Sequence, residues 1–281
     1  SGEVSLSRVV EGDAPRAGDT QITVTDLAER IAVGGWPGLL GHTVPQALRA
    51  VRAYVDEVRR TDIQRVDGVA HDPGKVLLLM RSLARNVSTM VSLATLGRDV
   101  GAVDEALAKN TVSAYYDALT RLMVVEDQPA WAPHLRSRSR VRTSPRRHFV
   151  DPSLAVAVLR ATPERLLQDL NLLGFLFESL VIRDLRIYAQ VFDAEVLHYK
   201  DNTDLEVDAI VEVADGRWAA FEIKLGTGGV DVGAESLKTF ASRVDTQKAC
   251  PPQALGVITG TGIASTRPDG ISVIPISVLG P

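Results

Sequence analysis

The sequence predicts an α/β protein with a helical amino-terminal half and a mixed sheet flanked by helices in its carboxy-terminal half. In the first half, apolar residues recur three and four positions apart over Val44–Arg65, Pro73–Val87 and Asn110–Val124, the spacing of one buried helix face. In the second half, two runs rich in apolar and β-branched residues flank Asp215-Gly216, a pair that favours a tight hairpin turn. We therefore expect helical domains first and a sheet domain after them.

Composition limits the class of protein. The chain of 281 residues is 45% hydrophobic and 23% charged, as is typical of a soluble globular protein. Its net charge of -4 means that any site for nucleic acid must be local. A single cysteine and the absence of an 18-residue apolar run predict a cytoplasmic protein without a membrane partner. Because the chain opens on Ser1-Gly2 instead of methionine, we expect a fragment or a tagged piece of a longer protein.

The amino-terminal part, residues 1–70, predicts a lead-in and a helical linker. Residues 1–22 are polar and rich in Gly, Asp and Glu, which indicates an exposed segment. A turn cluster, Gly34-Gly35-Trp36-Pro37-Gly38, precedes the long helix predicted over Val44–Arg65.

Residues 71–150 predict three helices followed by a β-hairpin, which is the order of a winged helix-turn-helix. The first helix is Pro73–Val87, and the second covers Ser88–Leu96 or Asp104–Leu107. The third, Asn110–Val124, begins with an Asn-Thr cap and is the candidate recognition helix.

The connector 134–148 indicates nucleic-acid contact, because it contains six arginines and no acidic residue. The arginines of such a wing would neutralise backbone phosphates. The resulting affinity for DNA depends on salt concentration and not on base sequence. A solvated loop and a surface that docks against an acidic partner domain remain alternatives. The candidate recognition helix argues against base reading, since its charged residues are Asp117 and Arg121. The arginines are Arg136, Arg138, Arg140, Arg142, Arg146 and Arg147.

The hairpin Leu205–Gly226 carries charged residues inside apolar strands, where an unpaired charge is costly. Because side chains alternate between faces, Glu206 and Asp208 share one face, and Glu222 and Lys224 share one face of the next strand. Carboxylates are the ligands that Mg²⁺ prefers, and a nearby lysine can orient water or stabilise negative charge. The alternative is an edge hairpin whose charges are solvated or form cross-strand ion pairs.

This stretch resembles the core of the PD-(D/E)xK nuclease superfamily, in which an aspartate on one strand is followed by E-x-K on the next. That family also takes an acid from a preceding helix, and the apolar stripe of Gly174–Ile187 predicts such a helix. Val207 replaces the proline that usually precedes the aspartate. The resemblance implies that Asp208 and Glu222 hold Mg²⁺ or Mn²⁺. It also implies one catalytic set: Glu178, Asp208, Glu222 and Lys224.

Residues 151–281 are the predicted nuclease-like domain. After the hairpin, Ala234–Val244 predicts a helix, and Ala254–Thr259 and Ile271–Ile276 predict short apolar strands. Because a helix separates the hairpin from these strands, we expect part of the sheet to be parallel.

A second resemblance covers most of the chain and rests on six motifs: GGWPGLL, RRTDIQ, NTVSAYYDALTRLMVV, RRHFVDPSLA, GFLFESLVIRDL and EVDAIVEV…FEIKLG. In this order they look like the C-terminal half of bacterial and archaeal AAA-type P-loop ATPases that end in a domain of uncharacterised function. The resemblance implies an N-terminal ATPase domain of the parent protein as a partner. The chain has no G-x-x-x-x-G-K-[ST] motif, so we expect no ATP site and no ATPase activity from this chain alone.

Two functions follow from these patterns. The first is a Mg²⁺-dependent nuclease-like domain, a candidate metal-dependent endonuclease, acting on or binding DNA. The second is a catalytically inactive module of the same fold that docks DNA or a partner protein. The intact four-residue set favours the first, and the acidic overall balance favours the second. The sequence determines neither the substrate nor the oligomeric state, and a homo-oligomer is one of the possible states.

Overall fold

The structure is a computed structural model that describes residues 3–15, 21–67, 71–101, 109–133, 143–246 and 249–281. Its helices and mixed sheet confirm the predicted α/β class. The helices are α1 (Leu6–Val10), α2 (Val24–Val33), α3 (Val44–Glu57), α4 (Ile63–Asp67), α5 (Pro73–Arg85), α6 (Leu93–Gly101), α7 (Lys109–Arg121), α8 (Pro152–Leu159), α9 (Pro163–Gln168), α10 (Leu170–Ala189) and α11 (Val230–Arg243). The strands are β1 (Val4–Ser5), β2 (Val125–Gln128), β3 (Arg146–Phe149), β4 (Ala194–Lys200), β5 (Glu206–Val213), β6 (Trp218–Lys224), β7 (Ala254–Thr259), β8 (Ser265–Thr266), β9 (Ser272–Pro275) and β10 (Leu279–Gly280).

The chain separates into two compact units, each assembled from segments that are distant in sequence. The sheet unit contains residues 1–27, 128–145 and 180–281, and the helical unit contains residues 28–127 and 146–179. The domains predicted from the sequence, in contrast, are continuous stretches.

A six-stranded sheet forms the centre of the sheet unit, in the order β4-β5-β6-β7-β9-β8. The predicted hairpin is confirmed as the antiparallel pair β5–β6, and Gly216 takes φ +88° in its turn. The pairs β6–β7 and β7–β9 are parallel, as expected from the helix α11 between β6 and β7. Strand β4, which no sequence pattern predicted, pairs antiparallel with β5 and extends the sheet.

Aromatic side chains fill the core on one face of this sheet. Helix α11 contributes Phe240, whose ring centroid lies 5.7 Å from that of Trp218 and 5.9 Å from that of Trp131. Trp131 and Trp218 also contact each other, with centroids 5.0 Å apart. These large side chains bury apolar area on both strands of the hairpin and hold α11 against it.

The amino-terminal segment is not an exposed lead-in, and this expectation is wrong for residues 4–10. Strand β1 pairs in parallel with β10, and α1 buries Leu6, Val9 and Val10. The apolar stretch is too short to show a helical period, and its strand partner is at the opposite end of the sequence.

In the helical unit, the predicted helix over Val44–Arg65 is present with one irregularity. Helix α3 passes through a π-helical turn, Val58–Asp62, into α4. Helices α5, α6 and α7 then follow in the predicted order. Helix α6 begins and ends five residues after the predicted Ser88–Leu96, and the alternative range Asp104–Leu107 lies outside the described residues.

The turn cluster of residues 34–38 packs against the start of α8 in the helical unit. The Gly35 N–H donates to Asp151 Oδ2, and Trp36 Nε1–H donates to Ser153 Oγ, both at 2.9 Å. Asp151 also caps α8, since its Oδ1 accepts from Ser153 N–H at 2.9 Å. Two motifs more than a hundred residues apart in sequence therefore form one partly buried polar contact.

Candidate functional site

The candidate site begins where the regular pairing of β5 and β6 ends. Backbone pairs run from Glu212–Trp218 to Ala209–Phe221. Immediately beyond, the Ile223 N–H donates to the side chain of Asp208, with Oδ2 at 2.9 Å. This backbone donor orients the Asp208 carboxylate. Asp208 is buried, with 8% of the residue exposed.

Asp208, Glu222 and Lys224 converge, and Glu222 and Lys224 share one face of β6, as strand alternation predicts. Lys224 Nζ lies 2.5 Å from Glu222 Oε2 and 3.5 Å from Asp208 Oδ2. Glu222 is the most buried of the three, with 7% of its side chain exposed, against 28% for Lys224. One ammonium therefore lies between two carboxylates on adjacent strands.

Helix α11 supplies a fourth polar side chain that sequence reasoning missed. Ser236 Oγ donates to Glu222 Oε1 at 3.0 Å. The helix approaches closely at Gly233, where an added Cβ would lie 3.2 Å from the Cβ of Glu222. Gly229, Gly233 and Ser236 are spaced at one helix face, and this small-residue stripe is the sequence signal that could have identified the contact.

The environment of Glu222 favours its protonated form. The pKa of the Glu222 carboxyl is raised to about 7: burial raises it most and the charge of Asp208 raises it as well, while Lys224 and the hydrogen bond from Ser236 lower it. The desolvation penalty on the charged Glu222 carboxylate is larger than the stabilisation that it gains from the Lys224 ammonium. The site thus holds a group that titrates near neutral pH.

We expect Glu222→Gln to flatten the dependence of stability on pH. The native state keeps the Glu222 proton up to a pKa of about 7, whereas the unfolded chain releases it near 4.5. The free energy of unfolding of the wild type therefore falls across this interval, by about 1–3 kcal/mol, and glutamine removes this fall. Urea unfolding at a series of pH values measures how the free energy of unfolding changes with pH in the wild type and in Glu222→Gln.

The exposed Glu195 provides the control, because Glu195→Gln should keep the slope of the wild type. An unchanged slope in Glu222→Gln would contradict the shifted pKa.

Glu206, predicted on the face of Asp208, belongs to another ion pair. It stands opposite Lys200 in the β4–β5 register, and Lys200 Nζ lies 2.6 Å from Glu206 Oε1. This ion pair joins β5 to β4. The hairpin itself is not the edge that the alternative interpretation expected, because β4 and β7 flank it in the sheet.

Gln128 is a buried residue beside the site, and no sequence pattern singles it out. Its Nε2 donates to the carbonyl of Leu197 at 3.0 Å and to that of Asp208 at 2.9 Å. The β4–β5 register shifts between Leu197 and Tyr199, and Gln128 bonds the backbone at this irregularity. It therefore fixes the strand that carries Asp208.

Glu178 lies in the helical unit, on α10, where it forms a buried ion pair with Arg146. Only 12% of the Glu178 side chain and 5% of the Arg146 side chain are exposed. The assignment of Glu178 to the catalytic set stays a prediction.

Arg147 is also buried, with its guanidinium 4.4 Å from the ring centroid of Tyr116 and Nη1 3.0 Å from Asp127 Oδ1. Arg146 and Arg147 would have to leave these contacts to reach a phosphate. The other four predicted nucleic-acid residues, Arg136, Arg138, Arg140 and Arg142, lie outside the described residues.

Two family models match the chain, and one of them covers its carboxy-terminal part. Residues 173–279 match a domain of unknown function, DUF4143, which is found in AAA-ATPase-associated proteins, and this fits the predicted C-terminal region of an AAA-type ATPase. Residues 24–165, half of the chain, match another domain of unknown function, DUF8612, and the chain belongs to that family. No curated protein and no solved structure matches the chain. Among the helices of the described ranges, none is both long and apolar enough to span a membrane.

Proposed function

We propose that the sheet unit is a nuclease-like domain, dependent on Mg²⁺ or Mn²⁺, that acts on or binds DNA as part of an AAA-ATPase-associated protein. The observation that carries this proposal is the convergence of Asp208 and Glu222 on a single cation, the Lys224 ammonium. Two carboxylates that share one monovalent cation are a donor set suited to a hard divalent ion.

In this proposal Asp208 and Glu222 hold the metal, and a bound metal supplies charge stabilisation at the phosphate and an activated water. The protein's own groups orient the ligands, since Ile223 N–H holds Asp208 and Ser236 holds Glu222. Lys224 leaves Glu222 and places a positive charge beside the phosphate that is attacked.

We further propose that residues 71–150 form a winged helix-turn-helix. The order α5, α6, α7, β2, β3 supports it, and β2 and β3 belong to one two-stranded sheet. Thr89, between α5 and α6, adds an isolated antiparallel bridge to Arg147 of β3. In this proposal the arginines of the connector 134–148 bind the DNA backbone.

A second candidate function is an inactive module that docks DNA or a partner protein. The observation that favours it is the pairing of two predicted catalytic acids with cations of the protein, Glu222 with Lys224 and Glu178 with Arg146. Such pairs stabilise a site electrostatically without any metal.

Calorimetric titration with MgCl₂ and MnCl₂ distinguishes the two. For the wild type we expect binding in the micromolar to low millimolar range, because carboxylate sites with few charges bind divalent ions at about this strength. Asp208→Ala with Glu222→Ala should abolish it. Single-stranded, duplex and branched DNA then test cleavage, which Lys224→Met should remove while metal binding remains.

The matched control replaces another facing pair of acids in the same sheet, Glu195 and Glu212, with alanine. That variant should bind metal as the wild type does. Wild-type protein that binds neither ion, or equal binding after loss of Asp208 and Glu222, would leave only the docking function.

A further inference from the structure

We propose that the helical unit contains a binding site for a small ligand with two or more phosphate groups. The site is a cavity of about 330 Å³ between α3, the π-helical turn, α5 and the carboxyl end of α8. It lies wholly within the helical unit and does not depend on the proposed metal site. Five arginines line it: Arg52, Arg59, Arg60, Arg81 and Arg160.

The cavity is strongly basic in a chain whose net charge is -4. Its lining contains one acid, Asp56, which already pairs with Arg59 at 2.7 Å. Among the described residues, no carboxylate forms an ion pair with Arg60, Arg81 or Arg160. Positive charges brought together without counter-charges repel one another, and an anionic ligand relieves this repulsion.

Arg52 forms one wall of the cavity. Its Nη2 donates to the Ala161 carbonyl at 3.1 Å, which fixes the side chain at the cavity. Its Nε is buried and has no hydrogen-bond partner within the described residues.

Two backbone irregularities place arginines at this cavity. Arg160 adopts a left-handed conformation, φ +54°, at the end of α8. Arg59 and Arg60 belong to the π-helical turn, which adds a residue to the helix and changes the direction of the side chains that follow. Strained residues and π-helical turns are concentrated at functional sites.

The chemistry of the lining selects phosphate as the recognised group. Guanidinium groups bind phosphate oxygens in a bidentate manner, and several of them match a ligand with more than one phosphate. The apolar part of the lining is formed by Val55, Leu77, Ala157 and Val158. Small-molecule sites measure roughly 300–1,000 Å³, so the cavity suits a compact ligand such as inorganic triphosphate or a nucleotide polyphosphate tail.

Calorimetric titration of the full chain with sodium triphosphate, at low ionic strength and with EDTA present, tests the proposal. We expect saturable binding to the wild type and an affinity at least about tenfold lower in Arg60→Gln with Arg81→Gln. ATP in the same buffer shows whether a nucleotide is accepted in addition to the bare phosphate chain.

The matched control is Arg49→Gln with Arg85→Gln, which removes the same charge from exposed positions of α3 and α5 outside the cavity. It should bind triphosphate within about twofold of the wild type, since only screened long-range attraction changes. Thermal unfolding of both variants establishes that they are folded.

Three results would overturn the proposal. They are no saturable binding of triphosphate, an equal loss of affinity in the control variant, and binding of a single-stranded oligonucleotide without any binding of triphosphate. The last would assign the arginines to a nucleic-acid surface.

Discussion

Glu178→Ala is expected to lower the free energy of unfolding of the helical unit by about 3–5 kcal/mol, the usual effect of removing one partner from a buried ion pair. Arg146 is 4% exposed as a residue, so the substitution removes the Glu178 carboxylate from a guanidinium that is inside the protein. Urea unfolding followed by circular dichroism measures this loss. A large effect would show that Glu178 has a structural role, whatever its part in catalysis.

A double substitution provides the internal test of this explanation. Arg146→Met with Glu178→Leu replaces the ion pair with apolar side chains of similar size, and most of the lost stability should return. Asp56→Ala is the matched control, since Asp56 pairs with Arg59 at a site where 57% of its side chain is exposed, and its loss should cost less than about 1 kcal/mol. A comparable small loss for Glu178→Ala would contradict the buried pair.

Gly34→Ala is expected to destabilise the helical unit by about 3 kcal/mol or more. Gly34 has φ +79°, a conformation that costs an L-residue with a Cβ about 1–2 kcal/mol. The added Cβ would also lie 2.6 Å from Asp151 Oδ1, so it would displace the carboxylate that caps α8. Strain and loss of the cap therefore act together, and thermal or urea unfolding reports their sum.

Two other glycines separate the two causes. Gly41 also has φ +79°, but an added Cβ there meets no atom within 4 Å, so Gly41→Ala reports the conformational cost alone. Gly38 has neither feature, and Gly38→Ala should change stability by less than about 0.5 kcal/mol. If Gly34→Ala costs no more than Gly41→Ala, the contact between the turn cluster and α8 has no stabilising role.

Local periodicity determined the parts of the fold that the sequence predicted well. Strand β7 has the predicted bounds, Ala254–Thr259, because its apolar run is short and sharply bounded. The turn pair Asp215-Gly216 located the hairpin, and alternation along its second strand placed Glu222 beside Lys224. Each of these inferences needs only neighbouring residues, since strand geometry repeats every two positions.

Only the tertiary structure decided which groups from other segments contact the hairpin, and which strands pair across the chain. Gln128 and Ser236 reach the site from segments far from the hairpin, and β1 finds its partner β10 at the other end of the chain. No local pattern encodes such contacts, because they depend on which surfaces meet when the core packs.

The same distinction applies to charge. In the sequence, Glu178 has the position typical of a catalytic acid, and the arginines of the connector 134–148 have the spacing typical of a nucleic-acid wing. Packing then paired Glu178 with Arg146 and grouped five other arginines around a cavity. Residue types and local spacing determine which chemistry a chain can perform, and the burial and pairing of those residues, set by long-range contacts, decide where it does so.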